Sequence, residues 1–178
     1  MDGMRLDSAL LSRIRDELRH RGERRSTPPP SAASAPTPEE NAIAQRVMPF
    51  CEVLYLLMVA DEQPDARELD VLRGAVRALT NGRLGSPAID RQLARFQSAL
   101  AMQGREQRLT ELTGQLAADR QDAEAAYMLA AVMAIADETP DDREQAMLEE
   151  LRELLGISAR RAHTLLGEAA QLSDEPHV

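Results

Sequence analysis

The chain contains no lysine; all 21 of its basic residues are arginine. That excludes Schiff-base chemistry and the phosphate-binding lysine of a P-loop. There is no tryptophan, and the four aromatic residues, Phe50, Tyr55, Phe96 and Tyr127, are too few to build a platform on which nucleobases stack. The single cysteine, Cys51, excludes an intramolecular disulfide and fits a reducing, cytoplasmic setting. The three histidines, His20, His163 and His177, are scattered and form no HxxxH pair, so imidazole metal ligation is not expected. Glycine-rich nucleotide loops and the GxSxG elbow are missing too, which leaves no enzyme constellation. The longest apolar stretch, residues 125–136, has twelve residues. A membrane span needs about 20. The N-terminus interleaves charges with leucines and offers no apolar core of a secretory signal.

Charge is uneven. The net charge is −9, but residues 1–25 hold seven arginines against five acids, so the other 153 residues carry about −11. A body this acidic repels phosphate backbones, and nucleic acid is not an expected partner.

What the chain does have is an internal repeat. ADEQPDARELDVL at 60–72 returns as ADETPDDREQAML at 136–148, with eight of thirteen positions identical and an offset of 76 residues. Each copy follows an apolar run, VLYLLMV or LAAVMAI. Each unit therefore reads as a buried helix, a short acidic turn and an amphipathic helix.

Around the repeat, the spacing predicts an amphipathic helix in residues 1–25, with Leu6, Leu10, Ile14 and Leu18 in an i, i+4 row. Residues 26–37, rich in Pro, Ala and Ser, read as a linker able to span up to about 37 Å. A helical domain follows over 38–172, then a disordered tail over 173–178. It opens on Thr37-Pro38-Glu39-Glu40, a capping-box pattern. Pro49 either kinks the first helix or starts a new one. Further helices are expected at about 65–80, 87–102, 105–117, 121–136, 140–154 and 159–171, with Ser86, Thr139 and Ser158 as N-caps and Gly82 and Gly156 as stops. No segment alternates with period two, so the expected fold is all-α: a single helical domain of two related helix–turn–helix halves behind a tethered N-terminal helix.

An apolar helix ending in Ala-Asp, then a turn, then a helix with an early Glu, duplicated within one helical domain, resembles the tellurite-resistance TerB family and the related N-terminal domain of DjlA co-chaperones. The resemblance covers about residues 39–172. It implies a TerB-like fold and a non-enzymatic accessory role in a bacterial stress response, acting by protein interaction. In that family the acidic turns are a candidate divalent-cation site, and the matching positions are Asp61, Glu68, Asp137 and Glu144. The chain departs from the family in carrying Glu62 and Glu138 where Gly usually follows the Asp. It also lacks a J-domain's His-Pro-Asp, so any kinship to DjlA is to its helical domain.

The chain's own repeat adds Asp65 and Asp141 to the candidate ligands, and carboxylates of this kind suit hard cations such as Ca²⁺ or Mg²⁺. The spacing is not that of an EF-hand, whose twelfth position would hold Leu72 or Leu148. The alternative is structural: acids at a helix start cap it and complement its dipole, and the repeated Arg67 and Arg143 can neutralise them. Against that stand Asp61 and Asp137, at the C-terminal end of an apolar helix, where a carboxylate needs positive compensation from a cation, an arginine or the next helix's amides. In the alternative function, a metal-independent adaptor binds a protein partner through this acidic face. The N-terminal helix is expected to fold back on the domain, to self-associate into a homo-oligomer, or to dock on a partner or an anionic membrane surface. Cys51, beside Phe50 and Leu54, reads as a core thiol.

Overall fold

The computed structural model describes residues 37–59, 66–135 and 142–174, and these form seven helices with no strand among them. They are α1 (Pro38–Met58), α2 (Ala66–Leu79), α3 (Ser86–Gln103), α4 (Arg105–Leu116), α5 (Arg120–Ile135), α6 (Asp142–Leu154) and α7 (Ala159–Asp174). The fold is all-α, as the periodicity predicts. The N-terminal helix and the linker before Thr37 lie outside the described residues.

The first helix starts where the sequence places it. Thr37 Oγ1 accepts from the Glu40 amide at 3.1 Å, and Glu40 Oε2 accepts from the Thr37 amide at 2.8 Å, so two otherwise orphaned donors are satisfied reciprocally. Pro49 does not divide it: α1 runs on to Met58 with Pro49 inside. The proline has no amide to offer the Gln45 carbonyl. The expected cap at Ser86 is not one. Gly85 takes the N-cap position with no side-chain hydrogen bond, while Ser86 Oγ accepts from Arg77 Nη2 at 3.0 Å. Ser158 does cap α7, its Oγ accepting from the Arg161 amide at 3.3 Å. The two glycine stops hold left-handed backbone, Gly82 at φ 70° and Gly156 at φ 67°. Beside them the Gly82 amide donates to the Arg77 carbonyl and the Ile157 amide to that of Arg152, closing the ends of α2 and α6. Helix α7 continues three residues past its expected end, to Asp174.

The repeat recurs in the helix boundaries. Helices α2 and α6 start 76 residues apart, at Ala66 and Asp142. The ends of α1 and α5, and of α2 and α6, keep that offset to within one residue. Burial repeats as well: Val53 and Leu129, Leu56 and Val132, Leu72 and Leu148, Ala75 and Leu151 are each pairs of buried side chains. Volume is exchanged within this pattern, since Tyr55 has Ala131 as its counterpart and Ala75 has Leu151. Each half is a long buried helix followed by two amphipathic ones, α1–α3 and α5–α7, and α4 joins them.

Helices α1 and α5 are apolar on nearly every side and are buried accordingly, from Phe50 to Leu57 and from Ala125 to Val132. They pack on each other, and α4 packs on both. Helix α7 lies most intimately on α5, where Ala162 and Ala169 meet an alanine-rich partner. Small side chains let helix axes approach closely. The result is one continuous core drawn from all seven helices.

Candidate functional site

In sequence, the two acidic stretches fall between the buried helix and the amphipathic helix that follows it in each half, α1 and α2 or α5 and α6. Asp61, Asp65, Asp137 and Asp141 lie outside the described residues, as do Glu62, Glu138 and the proposed cap Thr139. Glu68 sits in the first turn of α2, but its side chain, like those of Arg67 and Arg143, is outside the described set. Glu144 is half-buried in the first turn of α6 and takes part in an interaction there. Asp142, the first residue of α6, is exposed. Among the described residues no group of three His, Cys, Asp or Glu side chains converges as a metal site.

Helix α1 has no basic residue in its last turn, yet its C-terminal end acquires a positive charge from elsewhere. Arg105, the first residue of α4, donates from Nε to the Leu56 carbonyl at 3.0 Å. Its two Nη groups bind both oxygens of Glu150 on α6, at 3.2 and 2.8 Å. A guanidinium at a helix C-terminus complements the dipole that makes a nearby carboxylate unwelcome. Helix α5, which precedes the second acidic stretch, has no basic residue in its last turn either.

Sequence reasoning missed a second feature. Glu52 lies in the middle of the apolar run of α1, and its side chain is only 7% exposed. Arg108 of α4 meets it with two parallel hydrogen bonds, Nε to Oε1 at 2.7 Å and Nη2 to Oε2 at 2.8 Å, while Nη1 reaches Glu111 at 2.9 Å. The hydrogen bond to Glu52 holds the Arg108 guanidinium further above its ordinary range. The sole signal in the sequence is a lone carboxylate among apolar neighbours, and its partner stands 56 residues away. The pair lies at the base of a cleft of about 400 Å³ between α1, α3 and α4, floored by Met48, Phe96 and Leu112 and edged by Asn41, Gln45 and Gln115.

The other buried reactive groups are quenched. Cys51 is fully buried, and desolvation pushes its thiol up to about 12, which makes it a core residue and no nucleophile. The Tyr55 hydroxyl is buried with no hydrogen-bond partner, its ring 5.8 Å from that of Phe96, and burial raises its pKa. Both groups stay protonated at neutral pH.

A charged cluster ties α5 to α7. Glu124 accepts from Arg161 at 2.7 Å and from Arg120 at 2.9 Å, and the hydrogen bond from Arg161 in particular holds its carboxyl below the usual range. A lowered folded-state pKa means stability that is present above the unfolded value of about 4.3 and is lost as pH falls through the folded one. Glu124→Gln should therefore narrow the stability difference between pH 7 and pH 3 in a urea titration. An unchanged acid limb would show that the cluster adds nothing.

Compared with protein families, with curated proteins and with solved structures, the chain matches none. No described helix is long and apolar enough to cross a membrane.

Proposed function

We propose that this chain is a TerB-like, non-enzymatic accessory module of a bacterial stress response, in the setting of tellurite or envelope stress, and that it acts in the cytoplasm by binding a protein partner through its two acidic turns. The observation that supports this reading is the coincidence of repeat and helix boundaries, which brackets the two acidic stretches alike, to within one residue, in the two halves. The buried groups that could do chemistry add support, because Glu52 is held by Arg108 and Cys51 is desolvated. In the source bacterium, loss of the chain should sensitise growth to tellurite. The intact chain should restore resistance, and a chain with Asp61, Asp65, Asp137 and Asp141 all changed to Asn should not. Full rescue by that variant would remove the acidic turns from the function.

A second reading adds a hard divalent cation, Ca²⁺ or Mg²⁺, held by Asp61, Asp65, Glu68, Asp137, Asp141 and Glu144. It rests on the repeat, which supplies matching carboxylates in both halves, the kind of oxygen ligand a hard cation takes. Binding would stabilise the fold by about 2.7 kcal/mol at a hundredfold excess over Kd. Asp61→Asn with Asp137→Asn should abolish that gain. A melting temperature unmoved by millimolar Ca²⁺, Mg²⁺ or Mn²⁺ leaves the metal-independent adaptor.

A further inference from the structure

The cleft between α1, α3 and α4 lies on the first turns of α1, next to the point where the N-terminal extension joins the domain. Its wall begins at Asn41, one turn beyond the cap Thr37, and follows α1 to Glu52. At 1.5 Å per residue that wall is about 16 Å long. The leucine row of the extension, Leu6 to Leu18, is about 18 Å long on the same basis. The floor offers Met48, Phe96 and Leu112 to such a row, and the rim amides can meet polar flanks. The tether reaches as well: residues 26–37 span up to about 37 Å, more than the return along the wall requires.

We propose that residues 4–21 dock in this cleft of their own chain, seating Leu10 and Ile14 over Met48 and Phe96. The tether sets an effective concentration on the order of 1 mM, so an intrinsic Kd of about 0.1 mM gives roughly ten docked molecules for each undocked one. A partner helix with a similar apolar row would have to displace the extension to enter.

The test uses thiol labelling of the full-length chain, in which the native Cys51 is buried and slow to react. Ala99→Cys places a thiol on the cleft, and Gln92→Cys does so independently if the first variant fails to fold. Each should react with a maleimide about tenfold more slowly than in a chain that also carries Leu10→Asp and Ile14→Asp. Glu153→Cys, exposed on α6, should react equally in both backgrounds. Equal rates at the cleft thiols would overturn the proposal. Protection that vanishes on roughly hundredfold dilution would overturn it too, because it would mean that a second copy fills the cleft.

Discussion

Arg108→Met should lower the stability of the fold by about 3–5 kcal/mol, because it leaves the Glu52 carboxylate buried with no counter-charge. The size follows from the geometry. Both oxygens of Glu52 are bound by Arg108, and the two side chains are 7% and 20% exposed, so water can replace little of what is lost. Adding Glu52→Leu to Arg108→Met should recover most of the loss, since replacing both partners with apolar groups leaves nothing buried and unpaired. Urea denaturation of the two variants at pH 7 checks each step. A single variant within 1 kcal/mol of the parent chain at pH 7 would show that solvent reaches Glu52 after all.

The pair also marks where the sequence stops being readable. Helix α1 was legible from Thr37, Glu40 and its apolar period, because capping and periodicity are local. Gly156 was legible as a stop for the same reason, since it supplies the left-handed residue that ends α6; at the end of α2 that place is taken by Asn81, at φ 50°, one residue before Gly82. Ser86 was misread because its hydroxyl had a better use, as acceptor for Arg77 from the preceding helix, and no local pattern shows such a competitor. Glu52 and Arg108 share no local signature at all, since only the packing of α4 across α1 brings them together. Arg105 is a similar case: its role at the end of α1 depends on the elbow at Gly104, with φ 79°, that turns the chain from α3 into α4. For the candidate site, the repeat disclosed which residues correspond and which helices bracket them. Whether the two turns converge depends on long-range packing, to which periodicity is blind.

The repeat makes one further result testable. Leu72→Ala and Leu148→Ala remove equivalent side chains, each buried on the second helix of its half. Large-to-small changes of this kind cost about 2–5 kcal/mol, and the spread reflects how far neighbours close the cavity. Among the differences in their surroundings, one lies on the same helix face a turn away. Three residues on, Leu72 has Ala75 where Leu148 has Leu151. The i, i+3 neighbour of Leu72 is thus already small and cannot move into the void, so Leu72→Ala should be the costlier change. For a domain of this size each kcal/mol moves the midpoint by roughly 3 °C, so either change should lower Tm by roughly 10 °C. Both should lower the same single transition, because α1, α4 and α5 join the halves into one core. Calorimetry that resolved two transitions, with Leu148→Ala shifting only one, would show instead that the duplicated halves unfold as separate units, and that the shared sequence reflects two domains set side by side.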